Sequence, residues 1–324
     1  MWLYLLAAGF GLLTGLYGYN QMKFKQAEAA YPPTGSFISV EGVNLHYIRK
    51  GEGTPVVFLH GGVLNANDFQ QVVEMAASRG YQAIAFDRPG YGYSERPLKE
   101  KATPAVQAWL IHGALQQMGV EKPIIVGHSW SGLLAMTYAL AYPDELSGIV
   151  TLAGAMYKEG YPAEHGDPIS KIVAAPVIGK LFLHTVLGSP LGKALANSSM
   201  KQTFAPEPVP EGYRETALSL WLRPGQFKAN REDILAFPPA AKKASELYKQ
   251  IKSPAVIMVG EDDPFGTKEQ AIRLKSDLPH AQLIVIPHVA HMIPQHHPEL
   301  VLQAIDALNP ISKKNGSETE SESV

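Results

Sequence analysis

Three short stretches of this 324-residue chain carry side chains that cooperate in nucleophilic catalysis. Gly127-His128-Ser129-Trp130-Ser131-Gly132 offers hydroxyls, Gly260-Glu261-Asp262-Asp263 offers carboxylates, and Pro287-His288-Val289-Ala290-His291 offers imidazoles. A serine hydroxyl is a weak nucleophile until a base takes its proton. The base in turn needs an acid behind it to fix its tautomer and stabilise the imidazolium. The first stretch follows an apolar run, Pro123 to Val126, and opens another, Leu133 to Ala141, as expected of a strand that turns abruptly into a helix. A residue at the apex of such a turn is held in a strained backbone conformation and needs small neighbours two before and two or three after it. Ser129 has them in Gly127, Ser131 and Gly132, whereas Ser131 at the apex would put Leu133 in a place that must be small. The serine expected to act is therefore Ser129. A lone pattern of this kind also arises by chance as a plain turn, so the surrounding elements have to decide.

Those elements alternate. Phe37 to Val40 and Asn44 to Tyr47 read as a hairpin across Glu41-Gly42-Val43. Pro55 to Leu59 is an unbroken apolar run, as in a strand buried on both faces, and ends in His60-Gly61-Gly62-Val63, whose bare backbone can aim N–H groups at an oxyanion. Tyr81 to Phe86 is a further buried strand. The loop after it, Asp87 to Ser94, reads as structural, packed beneath the site and supplying no chemistry. Thr103 caps a helix with Pro104 in its first turn. Beyond the serine, Gly148 to Leu152, Ala255 to Val259 and Gln282 to Ile286 read as strands, and Pro298 to Leu308 as a closing helix. This alternation predicts a parallel sheet with helices on both faces and ligands bound beyond the C-terminal strand ends, where His60, Asp87 and Ser129 sit.

From 157 to 251 the strand rhythm stops. Helical stretches at Ile169 to Val186, Tyr213 to Leu222 and Ala240 to Ile251, hinged by Pro206 to Pro210, predict a lid over the strand ends. Leu181, Phe182, Leu187, Leu220, Trp221 and Phe227 are expected to line an apolar entrance or form lid core. His165 and His184 have no partner at metal-ligand spacing.

The totals narrow the function. A 46% hydrophobic share and 18% charge describe a folded chain, and a net charge of −2 with no Lys/Arg cluster argues against nucleic acid. Zero cysteines exclude disulfides, thiolate metal sites and a cysteine nucleophile. No metal site and no cofactor is expected. Trp2 to Tyr19 has no charged side chain and, as a helix, would be roughly 27 Å long, enough to span hydrocarbon. Lys23 and Lys25 follow it and place the next domain on the cytoplasmic side. Ala27-Glu28-Ala29 keeps open a cleaved signal and a periplasmic or secreted product. The expected organisation is an anchor or signal over 1–20, a linker over 21–36, a core over 37–156 and 252–309, the lid over 157–251, and a disordered tail over 310–324.

Five motifs now stand in order: Leu59-His60-Gly61-Gly62, Asp87-Arg88-Pro89-Gly90-Tyr91-Gly92-Tyr93-Ser94, Val126-Gly127-His128-Ser129-Trp130, Gly260-Glu261-Asp262-Asp263 and Ala290-His291. In them the chain resembles the α/β-hydrolase superfamily, in its lidded form. The resemblance implies an α/β fold with a mostly parallel eight-stranded sheet and a helical lid inserted after strand 6. It also implies Ser129 as nucleophile, Asp263 rather than Asp262 as acid, and His291 rather than His288 as general base. The backbone N–H groups of Gly62 and Trp130 would form the oxyanion hole. The family usually has glycine at both Ser131 and Ala290, and each departure here is small. Serine at the apex argues against dehalogenase and epoxide-hydrolase chemistry, which use aspartate there. The expected activity is hydrolysis of a small-molecule carboxylic ester with a small or apolar acyl group. C–C bond hydrolysis would need a cation for a substrate carboxylate, with Arg223 as candidate. Proline-type aminopeptidase activity would need lid acids, with Glu207, Glu211 and Glu215 as candidates. A membrane-anchored binding protein is the non-enzymatic alternative.

Overall fold

Residues whose both faces are apolar end up between layers of helix. The structure, a computed structural model, describes residues 1–308. In chain order its elements are α1 (Trp2–Ala30), β1 (Ser36–Val40), β2 (Val43–Lys50), β3 (Thr54–Leu59), α2 (Gln70–Ser78), β4 (Tyr81–Phe86), α3 (Pro104–Gln117), β5 (Ile124–His128), α4 (Ser131–Ala141) and β6 (Gly148–Leu152). Then come α5 (Pro168–Ala174), α6 (Ile178–Thr185), α7 (Pro190–Phe204), α8 (Tyr213–Trp221), α9 (Pro224–Ser245), β7 (Ala255–Gly260), α10 (Thr267–Asp277), β8 (Gln282–Ile286), α11 (Ile293–His296) and α12 (Pro298–Leu308). The tail expected over 310–324 lies outside the described residues.

Among the described residues the strands form one eight-stranded sheet in the order β1-β2-β4-β3-β5-β6-β7-β8, with β1 and β2 antiparallel to their neighbours and the rest parallel. Val57 and Leu59 of β3 enter one core with Leu110, Leu133 and Leu274, while Val56 and Phe58 enter the opposite core with Phe69, Val73 and Ile305. Each such side chain contributes on the order of 2 kcal/mol of transfer free energy. The chain runs outward from β3 to β4 and then returns to the other side of β3 as β5. Strand order therefore reverses between β3 and β5, and the crevice at their C-terminal ends is where this architecture binds ligands.

Between β6 and β7 the chain is helical; α8 matches the expected Tyr213 to Leu222, while the helices around it depart from the expected segments. Ile169 to Val186 is broken at Ala175-Pro176, because the residue before proline is pushed out of the helical region, and Ala175 is extended at φ −68°, ψ 135°. Helix α7 was not anticipated, nor was most of α9, whose interior Pro238 and Pro239 argue locally against a helix. Helices α7 and α8 meet the core through Met200, Phe204 and Trp221 packed with Leu64 and Met292. Of the residues expected to line an entrance, Leu187, Leu220 and Trp221 are buried, Phe182 and Phe227 pack against the lid cluster around Leu183, and Leu181 is half exposed on the outside.

The linker expected over 21–36 begins ten residues later than predicted, because α1 continues to Ala30. Residues 21–30 contain no glycine or proline, and Asn20 and Phe24 are buried against the lid. The Asn20 amide donates to the His184 carbonyl at 3.0 Å, and Glu28 pairs with Arg223 at 3.6 Å.

Candidate active site

The turn from β5 into α4 puts Ser129 at φ +53°, a left-handed conformation that non-glycine residues avoid. Small neighbours make it sterically feasible. A Cβ on Gly127 would lie 2.2 Å from the Ser131 carbonyl oxygen, and one on Gly132 would lie 2.9 Å from the Gly154 Cα. The Ser129 N–H donates to the Leu152 carbonyl at 2.9 Å, tying the apex to the end of β6. Val63 and Ala153 also have positive φ, so strained residues collect at the ends of β3, β5 and β6. The Ser131 hydroxyl, in contrast, donates to the His60 carbonyl. Its proton already has an acceptor in the backbone.

Two separated segments converge on Ser129. The His291 Nε2 lies 2.9 Å from the Ser129 Oγ, and the His291 Nδ1 lies 2.7 Å from an Asp263 carboxylate oxygen. The other Asp263 oxygen accepts the Phe265 N–H at 2.8 Å. Burial raises the Asp263 pKa, but the charge and hydrogen bond of His291, together with hydrogen bonds from Thr267 and the Phe265 N–H, outweigh it, and the carboxyl ends below its ordinary value. Asp262 and His288 are at the surface, 3.9 Å from each other. Gly260 permits the convergence, since a Cβ there would lie 2.2 Å from the Val289 carbonyl oxygen. His128 braces the same loop through a 3.0 Å contact from its Nε2 to the His291 carbonyl. Burial, then the neighbouring His291, depress the His128 pKa to about 3, so its ring is neutral.

The two expected oxyanion donors share one arrangement. Gly61 brings bare backbone up to the serine, since a Cβ on it would be 2.9 Å from the Ser129 Cβ. The Gly61 carbonyl accepts from Arg88 Nη2 at 3.1 Å and from His60 Nδ1 at 2.9 Å. The His60 tautomer follows from its other nitrogen, which accepts the Arg88 backbone N–H at 2.9 Å. In a trans peptide the N–H points opposite to the C=O. The Gly62 N–H is therefore aimed away from Arg88. Likewise the Ser129 carbonyl accepts from Gly132 and Ala155, which turns the Trp130 N–H the other way. Neither the Gly62 nor the Trp130 N–H has an acceptor among the described residues.

Sequence reasoning missed what holds these peptides. Arg88 is fully buried and binds Asp233 of α9 at 2.7 Å, with its guanidinium 4.2 Å from the Trp130 ring centroid. Arg96 reaches the other Asp233 oxygen at 2.8 Å, and the Trp130 ring N–H donates to the Asp233 carbonyl at 3.2 Å. One lid residue, Asp233, thus joins the lid to the glycine loop through its carboxylate and Arg88, and to the residue after the serine through its backbone carbonyl. The loop from Asp87 to Ser94 is structural as expected, with Asp87 accepting N–H groups of Ala66 and Tyr93. The lid acid that completes it has no local signal, because only folding brings 233 to 88.

The other candidates are engaged elsewhere. Arg223 contacts the Gly92 carbonyl and Glu28 and stacks 4.8 Å from the Tyr93 ring centroid. Glu207 accepts the Ala290 N–H at 2.9 Å and contacts His297 at 2.7 Å, while Glu211 and Glu215 are exposed. Among the described residues no cluster of three potential metal ligands occurs.

Comparison with known proteins adds to this geometry. A family model described as alpha/beta hydrolase fold matches residues 54–298. An uncharacterized hydrolase of Bacillus subtilis is 27% identical over 273 residues, covering 82% of this chain and 94% of that protein. A 2-hydroxy-6-oxononadienedioate/2-hydroxy-6-oxononatrienedioate hydrolase of Paraburkholderia phymatum is 26% identical over 275 residues, covering 82% of this chain and 92% of that protein. Among solved structures, a thermophilic esterase from Thermogutta terrifontis aligns with a TM-score of 0.68 at 21% identity, covering 86% of this chain and 99% of that one.

Proposed function

The chain belongs to the α/β-hydrolase fold family, and within it we propose a serine hydrolase that cleaves carboxylic esters. The observation that carries this reading is the unbroken hydrogen-bonded series Ser129–His291–Asp263, with two unpartnered N–H groups beside it. The Ser129 Oγ attacks the ester carbonyl as His291 Nε2 takes its proton, and Asp263 holds the Nδ1–H and stabilises the imidazolium. The N–H groups of Gly62 and Trp130 receive the oxyanion. His291 then gives its proton to the departing alcohol, leaving Ser129 acylated. A water deprotonated by the same nitrogen releases the acid.

C–C bond hydrolysis is the second reading, favoured by the name of the Paraburkholderia relative. Against it, Arg223, the lid cation considered for a substrate carboxylate, faces Gly92 and Glu28. The aminopeptidase reading loses support because Glu207 is bound to Ala290 and His297. Purified protein should be labelled by a fluorophosphonate and hydrolyse p-nitrophenyl esters, and both should vanish in Ser129→Ala. Turnover of a dienone acid without ester turnover would replace the first reading with the second.

The same proposal includes α1 as a retained membrane anchor through residues 2–19, with Lys23 and Lys25 on the cytoplasmic side. A helix whose Asn20 and Phe24 are buried and whose Glu28 pairs with Arg223 is part of the folded body, which favours retention over cleavage near Ala29. In carbonate-washed membranes the protein should pellet. A soluble product beginning near Ala30 would overturn the anchor.

A further inference from the structure

The lid carries an apolar, cationic outer face next to the point where α1 leaves its uncharged run. Ile169, Val177, Ile178, Leu181, Leu191 and Leu195, on and between α5, α6 and α7, are each between 50 and 79% exposed. Apolar side chains grouped in this way on a water-soluble surface mark a contact with something else. From Pro168 to Pro206 the chain contains four lysines, Lys171, Lys180, Lys193 and Lys201, all exposed, and no aspartate or glutamate, in a protein whose net charge is −2. Exposed apolar residues interleaved with lysine match the surface of an anionic bilayer, where acyl boundary and headgroup phosphates are met together.

The geometry of α1 fixes the level at which this face lies. Gln21 Nε2 donates to His184 Nδ1 at 2.8 Å, Asn20 donates to the His184 carbonyl, and the Tyr17 ring lies 5.5 Å from the His184 ring. A Cβ on Gly188 would lie 2.2 Å from the Asn20 Oδ1, so no side chain separates α1 from the lid there. The contacts fall on the last turn of the uncharged run and the first residues after it. At 1.5 Å rise per residue, α6 sits within about one helical turn of the end of Trp2–Tyr19.

We propose that this lid face docks on the anionic leaflet from which α1 emerges, and that the preferred substrate is an ester held in the bilayer. The proposal rests on α1 being a retained anchor, and its substrate clause rests on the ester reading. Docking follows from the lid's composition and the α1–α6 contacts. The lysines face phosphates while the exposed isoleucines and leucines enter the acyl boundary. The lid helices, not the sheet, are then the part of the enzyme that senses lipid.

The absence of cysteine makes the test direct. The full-length protein, reconstituted in vesicles of phosphatidylcholine and phosphatidylglycerol, is labelled with an environment-sensitive fluorophore at Ile178→Cys, Leu181→Cys or Leu191→Cys. Ile272→Cys on α10, 49% exposed, is the control. Doxyl-labelled lipid should quench the lid probes at least about twofold more than the control, and less so when phosphatidylglycerol is omitted. Quenching equal to the control, or a blue shift without quenching, as a second protein copy would cause, overturns docking. In the same vesicles, replacing Val177, Ile178 and Leu181 with serine should raise KM several-fold for a long-chain vesicle-borne ester and leave a short water-soluble ester unchanged. An equal effect on both esters overturns the substrate clause. Failure of carbonate retention indicts the anchor, and failure to turn over any ester indicts the esterase reading, while the fluorescence result stands independently.

Discussion

Two histidine–aspartate pairs in this protein are almost identical at their centre and differ at one end. In His46–Asp87 and in His291–Asp263 the ring Nδ1 lies 2.7 Å from a carboxylate oxygen, and all four side chains are no more than 5% exposed. The far nitrogen distinguishes them. His46 Nε2 accepts the Gly35 backbone N–H at 3.1 Å, so that ring staples the chain after α1 to β2. His291 Nε2 faces the Ser129 hydroxyl at 2.9 Å, a group whose proton can be removed. Asp87 is further occupied by the Ala66 and Tyr93 N–H groups. A buried imidazole–carboxylate pair is therefore not itself a sign of catalysis; the third partner decides.

The strongest way to break this comparison is to remove the third partner of the one pair and the imidazole of the other. Ser129→Ala should lower kcat by about 10⁴-fold or more, whereas His46→Asn should leave the activity per folded molecule within about threefold. Comparable losses in both, measured on p-nitrophenyl esters and normalised to folded protein, would erase the distinction. Next come the acids. Asp263→Asn should cost about 10³- to 10⁴-fold in kcat, through the wrong imidazole tautomer, with little change in Tm. Asp87→Asn should instead cost about 2 kcal/mol in urea unfolding and leave the chemistry in place.

A third test uses pH. Between pH 6.5 and about 3 the unfolded chain protonates His128 and the native state does not, so stability falls as pH drops through that window. From pH 7 to 5 this amounts to about 2 kcal/mol, which His128→Asn should remove from the unfolding curve. Buried Asp68 acts in the opposite sense. Burial raises its pKa to about 6, so the native state binds the extra proton between pH 6 and 3.8 and gains about 1 kcal/mol over the same interval. Smallest is Glu207→Gln, whose amide nitrogen can replace one carboxylate oxygen facing Ala290 or His297 but accepts from neither. Loosening the loop before His291 should reduce kcat about fivefold, with KM nearly unchanged.

The candidate site was legible to different depths. The strained serine could be read because a strand-to-helix turn leaves a local record: Gly127 is required by its contact with the Ser131 carbonyl beside the apex, although Gly132 is required by Gly154 beyond β6. Asp263 and His291 could be named only through the resemblance, since from local composition Asp262 and His288 were equally available. Helix α9 was poorly read because Pro238 and Pro239 argue against a helix, while its burial through Asn230, Asp233 and Phe237 comes from distant segments. The split between α5 and α6 followed from Ala175-Pro176, a signal present in the chain but outweighed by apolar periodicity on either side.

Local sequence by itself determined the strands, the elbow and the uncharged helix at the start, because hydrophobic periodicity and backbone sterics act between residues close in the chain. Only the tertiary structure decided which histidine meets Ser129 and which carboxylate meets that histidine, and that Arg88 and Asp233 anchor the Gly61 carbonyl. It alone showed that α1 runs on to Ala30 and lies against the lid. Those outcomes depend on close contacts between groups up to about 160 residues apart, such as His184 with Asn20 and His291 with Ser129. Short-range preferences do not specify such contacts; packing around a shared sheet does.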